Sequence, residues 1–271
     1  MSLPSGMAVT PVLLESWHRF MHPDPSQPCA TLKLLSYNIQ VGIQTRRYPD
    51  YVVKAWQHLL PSARREHNLQ QIAELIRHYD IIALQEIDGG SFRTRYVNQI
   101  HYLAKAAHKD YWHQQLNRNL GRFGQHSNAV IGNIKLININ DHALPGRQGR
   151  GAIAFEVGTR NPLLIVVAHL ALGRRHQDEQ LKYIGGLISR YRSAVVMGDM
   201  NTDSLRILND SPLKSAGLKA AHARATYPSW RPTKCYDQIL VSAHIKIIKM
   251  GVLDFALSDH LPVAIEIELP Q

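Results

Sequence analysis

The stretch Ala194–Ser204 reads AVVMGDMNTDS. A short apolar run breaks at Gly198 and delivers Asp199, Met200 and Asn201. A run of that length suits a buried strand. An acid or amide at a strand tip is ordinarily a turn residue. The spacing says more. Residues two apart on a strand end point the same way, so Met200 returns to the packing while Asp199 and Asn201 aim at one place. What else in the chain reaches that place decides the fold reading.

Outward from this stretch, further apolar runs mark strands: LKLLSYNI (32–39), IIAL (81–84), NAVIG (128–132), IKLINI (134–139), GAIAFEV (151–157), LLIVVAHL (163–170), YDQILVS (236–242), IKIIKMGVL (245–253) and PVAIEIEL (262–269). The last alternates cleanly, which predicts a strand with one wet face. Helical periodicity appears over 67–79, with Leu69, Ile72, Ala73 and Ile76 on one face. It recurs over 95–107, with Tyr96, Ile100, Leu103, Ala104 and Ala107, and over 178–191. Many strands with few helices, not strictly alternating, predict two packed sheets with helices outside. Residues 1–30 carry five prolines among them and read as a partly irregular N-terminal extension; 31–271 read as one catalytic domain. An insertion over 43–70, with Val52, Val53, Trp56, Leu59 and Leu60 on one face, reads as a packed extra helix.

The 271 residues suffice to bury a large core, and 45% hydrophobic with 19% charged residues excludes a disordered chain. No apolar run approaches the roughly 20 residues a bilayer span needs. The start lacks a basic segment followed by a long apolar one, so no signal peptide is expected. Two cysteines, Cys29 and Cys235, form no disulfide framework. These features predict a cytoplasmic protein. Lys plus Arg is 31 against 21 Asp plus Glu, a formal charge of +10, which favours a polyanionic partner.

Polar residues interrupt the strands at their ends: Asn38, Gln85 and Glu86, Asn128, His169, Asp199 and Asn201, Asp237, and Ser258, Asp259 and His260. Each alone is a turn, a cap or a core histidine. Together they offer acids, amides and histidines at the positions where a rigid scaffold presents chemistry. No nucleophile elbow, phosphate-binding Walker loop, zinc-protease HExxH or dinucleotide fingerprint is present. This inventory suits water attacking a phosphoester with help from Mg²⁺, a cation that takes oxygen ligands and needs only one or two protein carboxylates. Mn²⁺ is the alternative ion.

The ordered set YNIQ (37–40), LQEID (84–88), SNAVI (127–131), AHLALG (168–173), GDMN (198–201), YDQIL (236–240) and SDHLP (258–262) resembles the motif set of the endonuclease/exonuclease/phosphatase superfamily. The resemblance runs from about Leu32 to Leu269. It implies an α/β (α+β) fold, a four-layered sandwich of two mixed β-sheets with the site at one rim. It implies Glu86 as main metal ligand with Asn38 beside it, and Asp259 near the metal and the attacking water. His169 and Asn201 contact the scissile phosphate, Asp199 orients or deprotonates the water, and His260 is polarised by Asp237. Two positions depart from the pattern. Gln40 stands where many repair-type members carry an acid, and Gln238 where many carry an aromatic residue or His. Neither removes a core group, so an active enzyme is expected.

Arginines gather beside the motif strands: Arg46 and Arg47, Arg93 and Arg95, Arg118 and Arg122, Arg147 and Arg150, Arg174 and Arg175. If these loops share the rim, it focuses anionic substrate. Asn128, Arg93, Arg150 and Arg175 are the substrate-binding candidates. Tyr48, Phe92, Tyr96 and Phe123 lie among them and are read as packing residues rather than base-stacking ones. The function expected is a Mg²⁺-dependent phosphodiesterase on DNA or RNA. The alternative is a phosphoesterase on a lipid headgroup or small phosphorylated metabolite, of the sphingomyelinase or inositol-phosphatase kind. A lipid enzyme would carry an exposed apolar loop, and the sequence shows no obvious one.

Overall fold

The computed structural model describes residues 31–45, 63–146, 148–158 and 161–269. The N-terminal extension, most of the 43–70 insertion with Tyr48 and Trp56, and Arg46, Arg47 and Arg147 lie outside these residues.

Among the described residues, twelve strands form two six-stranded sheets. In the first sheet the order is β11-β12-β1-β2-β4-β3. Its strands are β1 (Thr31–Asn38), β2 (Ile81–Asp88), β3 (Tyr111–Asn119), β4 (Gln125–Gly132), β11 (Ile247–Val252) and β12 (Val263–Glu268). In the second the order is β5-β6-β7-β8-β10-β9. Its strands are β5 (Ile137–Ala143), β6 (Gly151–Val157), β7 (Leu163–His169), β8 (Ser193–Asp199), β9 (Leu218–Ala220) and β10 (Asp237–Ser242). The described helices are α1 (Ala63–Ile76), α2 (Gln99–Ala106), α3 (Arg174–Ile188) and α4 (Ser204–Asn209).

The period of two sorts the side chains into three cores. In β1, Leu32 and Leu34 face the other sheet, where they meet Phe155, Val167, Met197 and Ile239. Leu35 and Tyr37 face outward onto α1 and α2, against Leu69, Ile72, Ile76 and Leu103. On the far side Val166, Val196 and Leu240 pack on Leu181, Ile184 and Ile188 of α3. The order is therefore helix, sheet, sheet, helix, the α/β sandwich expected.

Each sheet is antiparallel except for one central parallel pair, β1–β2 in the first and β7–β8 in the second. Both central pairs are buried on both faces, which is why their sequences run apolar without alternation. Their carboxyl ends open on the same rim, the usual place for ligands in sheets of this kind.

Four expectations change. β12 is buried from Val263 to Ile267 rather than wet on one face: Glu266 is buried between its sheet neighbours, accepting from Thr31 Oγ1 of β1 at 3.0 Å with Lys249 Nζ of β11 at 3.9 Å. Helix α2 starts at Gln99 rather than Arg95, because the Asn98 side chain caps it by accepting from the Ile100 and His101 amides. Tyr96 is accordingly outside the helix, at φ +60°, and 63% exposed. Strand β3 was not foreseen: YWHQQLNRN is polar because it is an edge strand with little burial.

Candidate active site

The site begins with backbone register. Across the second sheet Asp199 of β8 stands opposite His169 of β7 and opposite Asp237 of β10. Three polar side chains thus fall in one row, all on the face toward the first sheet. Gly198 makes this row possible. Its φ is +142°, and a Cβ there would stand 1.9 Å from the Ala168 carbonyl oxygen. Only glycine lets β8 approach β7 so closely before Asp199 emerges. After it, Met200 is fully buried in the α3-side core and Asn201 turns back at φ +51°.

Asp199 Oδ2 is the hub. It accepts from Asn38 Nδ2 at 3.1 Å, lies 3.4 Å from His169 Nε2 and 3.8 Å from His260 Nε2. Its other oxygen accepts from the Asn201 amide at 3.0 Å. The Asn201 side-chain amide donates to the Leu170 carbonyl at 3.0 Å. The Asn38–Asp199 bond joins the two sheets at the rim.

His260 donates from Nδ1 to Asp237 Oδ2 at 2.8 Å, which leaves Nε2 toward Asp199. Its loop is held by the TYPSW tract: the Ser229 amide donates to the Asp259 carbonyl, Ser229 Oγ to the Ser258 carbonyl, and the Leu261 amide to the Thr226 carbonyl. Thr226 Oγ1 also accepts from the Asp237 amide, and the Tyr227 ring lies 4.9 Å from that of His260. The residues of this tract thereby hold both members of the His260–Asp237 pair.

Glu86 lies on the other sheet. Between Leu84 and Ile87 the β2–β4 register shifts, and Glu86 itself has φ +54°. A bulge that holds a non-glycine residue there re-aims its carboxylate at the rim, a strain commonly kept for function.

Charge follows from burial. Desolvation raises the Asp199 carboxyl to about 7, with His260 opposing and Asp237 adding to the rise. For His260, burial disfavours the imidazolium, but the carboxylates of Asp237 and Asp199 outweigh it and hold it well above the usual histidine range. His169 is pushed well below that range by burial and by Arg150, His260 and His126. Glu86 is raised by burial and by Asp259.

Two sets of donors bear on a cation. Asp199, Asp237 and His260 place ligand atoms within 4.8 Å of one another. That set is spent internally, since the 2.8 Å bond between His260 and Asp237 makes an imidazole–carboxylate pair. The oxygen donors of Glu86 and Asp259, with Asn38 beside Glu86, suit a hard cation better. The Glu86–Asp259 repulsion under burial is what a divalent ion would relieve.

Beside Glu86 and His169 opens a cleft of about 450 Å³, lined also by Asn128, Arg150, Arg118, His126, Leu172 and His176. Asn128 Nδ2 donates to the Gly151 carbonyl at 2.9 Å and is fully buried in the cleft wall. Arg150 lines the cleft. Arg93 does not. Its guanidinium is buried against Asp88, Nε to Oδ2 at 2.6 Å, so it is a structural ion pair rather than a substrate contact. Arg175 points to solvent on α3 with Glu179 at 3.4 Å and does not line the cleft. Phe92, Tyr96 and Phe123 are 42%, 63% and 60% exposed, which overturns their reading as packing residues. His126 and His176 were not foreseen; the pairing of His126 with Arg118 across β3 and β4 becomes visible only once β3 is known.

A family model described as the Endonuclease/Exonuclease/phosphatase family matches residues 35–260. No curated protein matches the chain. Among solved structures, an endonuclease/exonuclease/phosphatase family protein from Bacteroides thetaiotaomicron is 16% identical, covers 90% of this chain and 100% of its own, and has a TM-score of 0.69. A mannosyl-6-phosphatase from the same organism is 16% identical, with 88% and 100% covered and a TM-score of 0.67. ANGEL2, a 2',3'-cyclic phosphatase, is 14% identical, with 89% and 97% covered and a TM-score of 0.63. At these identities the structures speak for the fold.

Proposed function

Because the chain belongs to the endonuclease/exonuclease/phosphatase family and is thus a hydrolase of phosphate esters, we propose that it is a Mg²⁺-dependent phosphodiesterase that cleaves nucleic acid by water attack. The observation that carries the proposal is the single row His169–Asp199–Asp237 with His260 beside it, and a basic cleft that His169 and Glu86 line together.

Each group has a task its surroundings suit. Asp199, with its carboxyl near 7, is matched to take a proton from water at neutral pH. His260, kept cationic by Asp237, faces the charge that develops on the phosphorus oxygens. His169, kept neutral, donates a hydrogen bond to the phosphate without repelling Arg150. Asn201 and Asn128 add amide groups at the same rim. Glu86, Asp259 and Asn38 would hold Mg²⁺, which when bound supplies Lewis-acid polarisation of the phosphate.

The cleft's cations and the +10 charge favour a polyanion over a neutral ester. A second reading, a phosphatase on small phosphorylated metabolites, uses the same row, and a structure of similar fold is a mannosyl-6-phosphatase. A Mg²⁺-dependent panel of oligonucleotides, phospholipids and sugar and inositol phosphates, with Glu86→Ala as the blank, separates the two. Cleavage of oligonucleotides that weakens steeply with salt supports the nuclease. Turnover of sugar phosphates alone supports the phosphatase.

A further inference from the structure

The cleft continues past the catalytic residues, between β3 and Gly146, Gln148, Gly149 and Arg150, which lie between β5 and β6. The two glycines, Gly146 and Gly149, have φ +93° and +91°. A Cβ on Gly146 would stand 2.6 Å from His176 Cδ2, and one on Gly149 3.5 Å from Arg118 Cβ and Cδ. The His176 ring and the Arg118 stem therefore rest directly on the two glycines, one arriving from the first turn of α3 and the other from β3. Positive φ explains the glycines. It does not explain why the side chain resting on each is basic.

Their surroundings sharpen the point. Arg118 and His176 line the same cleft as Glu86 and His169, together with His126 and Arg150, and among these residues Glu86 alone is acidic. Neither Arg118 nor His176 has a carboxylate partner among the described residues. Other exposed arginines do: Arg95 pairs with Glu66, Arg174 with Asp210 and Arg175 with Glu179. An arginine held by its stem in a cleft, with its fork uncommitted, is suited to bidentate binding of phosphate. The buried Asn128 Oδ1 in the same wall also lacks a hydrogen-bond partner.

We propose that Arg118 and His176 form a second phosphate subsite, which holds a phosphate group of the substrate beside the one that is cleaved. The proposal rests on the phosphoester reading above and narrows its substrate to molecules with two phosphate groups. Adjacent phosphates of a nucleic-acid strand and a bisphosphorylated sugar share this chemistry.

The test compares the wild type with Arg118→Ala/His176→Ala, and with the milder Arg118→Gln/His176→Asn should the first fold poorly. One substrate pair is thymidylyl-thymidine with and without a terminal phosphate. The other is glucose 1,6-bisphosphate against glucose 6-phosphate. In at least one pair, the double variant is expected to lose at least tenfold more kcat/KM on the two-phosphate member, mainly through KM. The pair that responds identifies the source of the second phosphate. In parallel, calorimetry with inorganic pyrophosphate in the presence of chelator should show at least tenfold weaker binding by the variant. Equal losses on both members of each pair, or wild-type affinity for pyrophosphate, overturn the subsite. If the wild type turns over neither pair, the nuclease and sugar-phosphatase readings above fail, and the calorimetry still decides the subsite by itself.

Discussion

His169 and Asp199 stand opposite each other on neighbouring parallel strands, with Nε2 3.4 Å from Oδ2. Register alone puts them there, and the same register brings Asp237 alongside from β10. Asp199→Asn keeps the shape and the capacity to accept from Asn38, but removes the base proposed above. Turnover is expected to fall by about 10²–10⁴-fold, the usual worth of a positioned general base. The thermal midpoint should stay near or above that of the wild type, because a buried carboxyl at a cost has been removed. Steady-state kinetics and a melting scan on the same preparation check both.

The pH profile follows from the same residues. On the proposed mechanism the Asp199 carboxyl, near 7, must be ionised to act, so the rate should climb as pH rises through about 7. His260 must stay protonated, so the rate should fall when it deprotonates, above the ordinary histidine range. The two titrations belong to a coupled group, and the profile reports their macroscopic values. Asp237→Asn removes the carboxylate that holds the His260 proton at 2.8 Å, so the alkaline limb should move to lower pH. A profile from pH 5 to 10 on both proteins measures the displacement.

Gly198→Ala tests how the acid is delivered. Its Cβ would stand 1.9 Å from the Ala168 carbonyl, at a φ that alanine rarely adopts. The β7–β8 pair must part or the turn must unwind, with a loss of about 3 kcal/mol or more. Chemical denaturation should show that loss, and activity should fall with it, since Asp199 can no longer sit opposite His169.

The strands that carry the chemistry were legible because central strands are buried on both faces and end in polar residues that packing does not call for. Asn38, His169 and Asp199 stood out at strand ends, and Glu86 within β2, Asp237 at the start of β10 and His260 in the loop before β12 stood out as polar breaks beside apolar runs. Edge elements were not legible. Strand β3 buries little, so its sequence lacks an apolar period, and without it the cleft wall of Arg118 and His126 had no frame. Arg93 was misjudged because proximity to Glu86 in sequence does not say which way a loop turns. Asp88 decides that, by accepting from the Gly90 and Ser91 amides, Ser91 Oγ and Arg93 Nε.

That buried pair has its own consequence. Arg93→Ala strands a fully buried Asp88, and the expected loss is about 3–5 kcal/mol. Arg93 and the loop amides outweigh burial and hold Asp88 below the usual carboxylate range. A depressed folded-state pKa stabilises above the unfolded value of about 3.9 and loses that contribution as pH falls through the folded value. The gap between wild type and Arg93→Ala in urea should therefore be full at pH 6 and narrow in strong acid.

The central claim is that Glu86 and its neighbours hold a divalent cation for phosphodiester cleavage. The measurement is cleavage of a labelled single-stranded oligonucleotide across a Mg²⁺ titration, by the wild type and by Glu86→Gln, with chelator as the zero point. The expected result is saturable Mg²⁺-dependent cleavage by the wild type, none with chelator, and a loss of at least about 10²-fold in Glu86→Gln at saturating Mg²⁺. Cleavage that persists in chelator, or that Glu86→Gln leaves intact, would contradict it.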